Sequence, residues 1–229
     1  MAKIRHRIPA SEEAPRTHCI RCGTCCMRGG PTLHEKDATL FTKGVLDKTH
    51  VYTLRKGEVV RNIDDTLMVL EQEMIKIKGE GEAWSCTFFN DEDKGCRIYQ
   101  DRPVECRALN CWDTQDLIEV MATPCLQREN LIDRHDGILR IIRAHEQRCA
   151  YETLESAVKG LQKPGSDKAV AKILDLLQYD HHMRPFLTEK LNVDPNAMDF
   201  FFGRALTTTI HMFGLCVKQE GNDFILMPA

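Results

Sequence analysis

The stretch Cys19-Ile20-Arg21-Cys22-Gly23-Thr24-Cys25-Cys26 places four thiols within eight residues. Cys19, Cys22 and Cys25 recur every third residue, so a helix-like turn would bring them to one point. Cys26 would then be displaced by about a hundred degrees around that turn. Three converging thiolates with a more distant cysteine are typical of 4Fe–4S ligation. The stretch therefore predicts a metal centre, with the backbone of this glycine-containing loop wrapped around it.

A second series of thiols follows at Cys86, Cys96, Cys106 and Cys111. Each lies beside a predicted turn or hairpin arm, so several are expected to point back at the first loop. The predicted metal ligands are thus eight cysteines: Cys19, Cys22, Cys25, Cys26, Cys86, Cys96, Cys106 and Cys111.

The spacing of these thiols favours an iron–sulfur cluster, most directly 4Fe–4S, over zinc. A structural zinc site usually combines two C-x₂-C pairs. Cys19 and Cys22 would supply one pair, but the second series contains no other. Zinc also accepts irregular thiolates, so it stays the alternative metal, and His18 or His34 would complete a Cys₃His site.

Composition narrows the class of protein. The chain of 229 residues has a net charge of -3, and a nucleic-acid partner would need a basic surface. No run of eighteen apolar residues is present, so no membrane association is expected. The basic start of the chain lacks the apolar run of a secretory signal. We therefore expect a cytoplasmic protein, in which thiols stay reduced and bind metals.

The predicted fold class is α+β: a small cysteine-rich metal-binding region with short strands, followed by a largely helical C-terminal half. Residues 1–18 are expected to form a polar arm, and Leu33–Lys43 a short helix. Short alternating runs between residues 57 and 99 predict strands, including a hairpin with Cys86–Phe89 and Cys96–Tyr99 as its arms. Helices are predicted over 113–121 and, with an interruption at Gly137, over 130–160.

The turn-rich stretch Lys163–Ser166 is the best linker signal in the chain. It suggests a metal-binding domain at 1–162 and a mainly helical region at 166–229, which would be continuous with the first if no boundary exists. Within the second region we expect a helix from Ser166 through Tyr179, another starting at Asp194-Pro195, and a terminal hairpin.

Three blocks of the sequence carry a family resemblance. They are Cys19-x₂-Cys22-Gly23-x-Cys25-Cys26, then Cys86-x-Phe88 with Gly95-Cys96-Arg97-Ile98-Tyr99, then Arg102-Pro103-x₂-Cys106-Arg107. In this order, over roughly residues 18–112, they resemble the YkgJ-type cysteine-cluster family of zinc- or iron-chelating CxxCxxCC proteins. The resemblance implies a bound metal in a small mixed fold. A related cysteine pattern occurs in the flagellin lysine methylase.

The predicted function is that of an iron–sulfur protein in redox chemistry or electron transfer, which implies a redox or other protein partner. One alternative is a zinc-stabilised protein-interaction module without catalysis. Another is a metal-dependent enzyme, such as a methylase-like protein, although the sequence has no glycine-rich methyl-donor motif. The sequence identifies no catalytic residue.

Overall fold

Short antiparallel strand pairs build the N-terminal half of the molecule. The computed structural model describes residues 17–61, 66–221 and 223–229, so most of the predicted polar arm lies outside them. The strands are β1 (Val51–Leu54), β2 (Val59–Arg61), β3 (Leu67–Val69), β4 (Met74–Ile77), β5 (Gly79–Glu80), β6 (Ser85–Cys86), β7 (Phe89–Asn90), β8 (Gly95–Cys96), β9 (Leu215–Glu220) and β10 (Asp223–Pro228). They pair as β1 with β4, β2 with β3, β5 with β6, β7 with β8 and β9 with β10.

Helices dominate from residue 104 onward. The α-helices of the described residues are α1 (Ala38–Thr42), α2 (Val104–Ala108), α3 (Gln115–Met121), α4 (Arg128–Leu131), α5 (Gly137–Arg148), α6 (Tyr151–Gly160), α7 (Asp167–Leu191), α8 (Met198–Phe202) and α9 (Leu206–Thr209). Short 3₁₀ helices cover Cys26–Arg28, Glu35–Asp37, Lys48–His50, Tyr99–Asp101, Pro195–Ala197 and Ile210–Phe213. The predicted α+β class is confirmed. No helix in these three described segments has both the length and the apolar character needed to cross a bilayer.

The strand pair β1–β4 contributes Val51, Ile75 and Ile77 to the larger hydrophobic core. Val51 lies opposite Ile77, and all four residues of β1 are buried. The side chain of Thr53 donates to the carbonyl of Phe200 in α8 over 2.6 Å, which fixes that helix against the strand. The sequence prediction missed β1, although β-branched and aromatic residues of this kind favour strands.

Among the described residues, two large hydrophobic cores and one small cluster of Tyr52, Leu54 and Leu70 fill the molecule. The larger one joins Leu33, Ile75 and Leu126 to Leu187 and Phe200. It therefore draws on both sides of the Lys163–Ser166 turn, and the two predicted regions share it. The smaller core packs α6 and α7 against the terminal hairpin through residues that include Leu154, Leu176, Leu206 and Phe224.

Helix α7 corrects a predicted boundary. We expected it to end at Tyr179, but it continues through Pro185 to Leu191. Proline removes one backbone donor and usually ends a helix. Here Leu187 beyond the proline is buried in the larger core, so packing of the second half outweighs the lost hydrogen bond. Asn192 ends the helix in the left-handed conformation.

A buried ion network links the strands to the helices. Arg55, at the end of β1, is fully buried and donates from Nε to both carboxylate oxygens of Glu146 at 2.9 Å. Arg128, at the start of α4, donates to the same carboxylate over 2.7 Å. Arg128 also pairs with Glu73 and donates to the carbonyl of Phe201. Glu146 on α5 and Glu73 thus together balance the charges of two buried guanidinium groups.

Replacing Glu146 by glutamine should destabilise the fold strongly. Arg55 would keep a buried charge without its partner, and breaking such a pair costs about 3 kcal/mol or more. We expect a loss of this size in the free energy of unfolding measured with urea. Glu155→Gln is the matched control, because its pair with Lys159 is exposed and should contribute well under about 1 kcal/mol. Equal stability of the two variants would contradict this account of the network.

Candidate metal centre

Four of the predicted ligands lie in one neighbourhood. Cys25, Cys86, Cys96 and Cys106 form six pairs, and in every pair the charge of one thiolate raises the pKa of the other. Such interactions fade over roughly 10 Å, so the four side chains must be close together. We call these four cysteines the thiol quartet. Cys26 adjoins it, with its Sγ 3.9 Å from that of Cys25.

Four different elements deliver the quartet. Cys25 immediately precedes the 3₁₀ helix Cys26–Arg28, Cys86 ends β6, Cys96 ends β8 and Cys106 lies in α2. The hairpin predicted around the turn after Phe89 is confirmed, with Phe89 opposite Cys96. The assignment of Cys86 to that hairpin is wrong, since it pairs with Gly79 in the preceding one. The two hairpins therefore contribute one thiol each.

Gly23 lets the N-terminal loop approach the second hairpin. Its φ is +78°, and a Cβ added there would lie 2.5 Å from Cζ of Phe89. Only a residue without a side chain fits this contact and this backbone conformation. The loop that carries Cys25 is thereby held against the strand opposite Cys96.

The first thiol motif does not form the predicted helix-like turn. Arg21 and Gly23 both have positive φ, and helical backbone begins only at Cys26. Cys19, Cys22 and Cys25 therefore do not lie on one helical face, so the helix-like turn is wrong, while the convergence of their sulfurs stays a prediction. Cys19 and Cys22 are exposed, as is Cys111 after α2. Whether these three cysteines bind metal stays a prediction.

The acidities of the thiols follow from their surroundings. A hydrogen bond with Cys26 lowers the pKa of Cys25 to about 6, because the thiol of Cys26 stabilises the neighbouring thiolate. The same bond raises the pKa of Cys26. Burial raises the pKa of Cys86, Cys96 and Cys106. A bound cation would offset this penalty, since metal ligation deprotonates cysteine.

The donor chemistry of the quartet fits zinc or an iron–sulfur cluster, both of which use thiolate ligands. Residues 17–61, 66–221 and 223–229 contain no three Cys, His, Asp or Glu side chains grouped tightly enough to hold one ion.

His34 does not suit the Cys₃His alternative. The residue is buried, its Nε2 lies 3.2 Å from Oε1 of Glu105, and its Nδ1 lies 2.9 Å from Oγ1 of Thr123. Both ring nitrogens are thus engaged in hydrogen bonds with Glu105 and Thr123.

The sequence prediction missed Glu105 as a support of the site. Its carboxylate accepts a hydrogen bond from the backbone N–H of Thr32 at 2.8 Å and lies in contact with His34. Glu105 precedes Cys106 in α2, so these contacts tie the helix to the segment that follows the thiol loop. Lys76 lies nearby, donating to Thr32 over 3.2 Å, and burial lowers its pKa. Nothing in the sequence distinguishes this glutamate from the exposed ones around it.

The fold and the quartet together define a thiol-based metal-binding domain in the N-terminal half. Residues 18–126 match the model of the CxxCxxCC family, described as a "Putative zinc- or iron-chelating domain". This match confirms the resemblance seen in the sequence and supports metal binding by that part of the chain. We found no match among curated proteins or solved structures.

Gly23→Ala should disrupt the metal centre. The added methyl group would meet the ring of Phe89 and strain a backbone with positive φ, so the loop would move away from β7–β8. We expect a reduced metal content after anaerobic purification, measured by elemental analysis.

Gly44→Ala is the matched control for this substitution. Gly44 also has a positive φ, at +70°, but no heavy atom lies within 4 Å of the added Cβ. Both variants should lose about 1 kcal/mol of stability from the backbone, whereas Gly44→Ala should keep its metal. A normal metal content in Gly23→Ala would show that the close approach does not matter for binding.

Proposed function

We propose that residues 18–126 bind a 4Fe–4S cluster and that the protein serves in electron transfer or redox chemistry. The observation that carries the proposal is the thiol quartet, Cys25, Cys86, Cys96 and Cys106, in which all six pairs interact. Four thiolates are the usual ligand set for such a cluster. Of the eight predicted ligands, these four have the best geometric support, with Cys26 beside them.

The absence of a tight donor group among the described residues supports a cluster over a single zinc ion. A tetrahedral zinc site holds its sulfurs about 3.8 Å apart, because each Zn–S bond is about 2.3 Å long. A cubane cluster holds its ligand sulfurs farther apart, because iron and sulfide ions lie between them. The lack of any tight group of three donors among the described residues agrees better with the larger group.

The position of the quartet supports a redox role. Cys25 is exposed, and Cys86 and Cys96 are half-buried in two-residue strands. A cluster held there would lie near the protein surface, within reach of a docked redox protein. The cluster would supply one-electron chemistry, while the chain supplies its ligands and the surrounding charge.

Cys106→Ser should abolish cluster binding, since it removes a quartet ligand from the rigid helix α2. Purified anaerobically, the wild-type protein should carry about four irons and four sulfides per chain and show visible sulfur-to-iron absorption. The variant should be colourless. Cys216→Ser is the control, because Cys216 lies in β9 and donates to the carbonyl of Pro228. A colourless wild-type protein with stoichiometric zinc would contradict the iron–sulfur proposal and favour a zinc site.

Cys22→Ser separates the quartet from the first thiol motif. Cys22 is exposed, and its contact with Thr24 lowers its pKa. If the quartet holds the cluster, this variant should keep its iron and sulfide content within error of the wild type. Loss of the cluster would instead return Cys22 to the ligand set that the sequence spacing predicts.

A further inference from the structure

Arg102 differs from the arginines of the core. Arg55, Arg128 and Arg184 are each paired with a carboxylate. Arg102 takes part in no ion pair within the described residues. Its buried Nε has no hydrogen-bond partner, as is also true of the Nε of Arg184, but Arg184 has a carboxylate to balance its charge. A partly buried guanidinium without a counter-charge is costly, so its retention calls for a negative group nearby.

The ring of Tyr99 orients this guanidinium. The Cζ atom of Arg102 lies 3.7 Å from the ring centroid, a stacking distance. Tyr99 begins a 3₁₀ helix, and Arg102 follows that helix in an extended conformation before Pro103. The short turn therefore places the side chain over the ring, and Pro103 restricts the backbone beyond it.

A second positive charge increases the need for an anion. The guanidinium carbon of Arg21, in the thiol loop, lies 5.0 Å from the centroid of the same ring. Two like charges near one tyrosine repel each other. No carboxylate among residues 17–61, 66–221 and 223–229 pairs with either of them.

The thiol quartet is the negative group that fits this place, because Arg102 lies between Cys96 and Cys106 in the chain and shares the ring of Tyr99 with Arg21 of the thiol loop. The positive charge of Arg102 lowers the pKa of Cys25 and of Cys96 by stabilising their thiolates. Arg102 also lies four residues before Cys106. Four thiolates leave a net negative charge whether they surround zinc or a 4Fe–4S cluster. A guanidinium beside them lowers the cost of holding that charge at a half-buried place.

We propose that Arg102, stacked on Tyr99, is the positioning residue whose positive charge stabilises the thiolate-ligated metal centre. This inference rests on the proposed function only in requiring that the quartet binds metal. Arginine suits the role because its planar group stacks on the ring while its edge remains free to donate hydrogen bonds.

The test compares Arg102→Gln, Arg102→Lys and wild type, each reduced and titrated anaerobically with Zn²⁺ against a chromophoric chelator. Removing a group that supports the ligands typically weakens metal affinity about 10- to 100-fold. We expect such a loss in Arg102→Gln and partial recovery in Arg102→Lys. Arg28→Gln is the control, because it makes the same charge change at an exposed residue beside the thiols. The midpoint potential of a reconstituted iron–sulfur cluster should also be more negative in Arg102→Gln than in wild type.

The outcomes separate the two proposals. A wild-type protein that takes up neither zinc nor a cluster overturns the proposed function and this inference together. A wild-type protein that binds metal while Arg102→Gln binds it equally well overturns the inference alone. If Arg102→Gln loses cooperative unfolding, Tyr99→Leu replaces it, since the charge stays and the ring is lost. A smaller loss of zinc affinity is then expected, and no loss would overturn the inference.

Discussion

The carboxylate of Glu146 is the interaction on which the rest of the architecture depends. It holds Arg55 at the end of β1 and Arg128 at the start of α4, and so joins the strands to the helices. β1 pairs with β4, and β4 in turn holds the segment after the thiol loop, where Leu33 donates to the carbonyl of Ile75 over 2.8 Å. The metal centre therefore depends, through two strands and one loop segment, on an ion network in the interior.

The sequence predicted the class of the fold and the hairpin that carries Cys96, because turn residues are local signals, but it missed α2 and the hairpin of Cys86. It did not predict the buried ion network, since a charged residue by itself indicates the surface. Arg55 and Glu146 are far apart in sequence, so only the tertiary structure explains their burial. The helix-like turn predicted for the first thiol motif was wrong for a different reason. Arg21 adopts a left-handed conformation that is rare outside glycine, and one such residue breaks the helical spacing of Cys19 and Cys25.

The later cysteines were found from spacing alone, but their supports were not. Each two-residue hairpin is too short to be stable by itself, so Cys86 and Cys96 depend on their packing against the larger hydrophobic core. Glu105 fixes α2 through a backbone donor at Thr32, a contact that no motif indicates. A site assembled from such small elements gains order from its metal, so ligand binding and local folding should be strongly coupled.

The thiols differ in how exposed they are to solvent, and their susceptibility to oxidation should differ accordingly. Cys19 and Cys22 are exposed, whereas Cys86, Cys96 and Cys106 are half-buried. Oxidation of cysteine follows its exposure and its thiolate character. Contact with Thr24 makes Cys22 more acidic, while burial keeps Cys106 protonated. Peroxide would therefore react first with the exposed thiols of the N-terminal loop, including Cys25 with its pKa of about 6, and more slowly with the half-buried sulfurs of Cys86, Cys96 and Cys106.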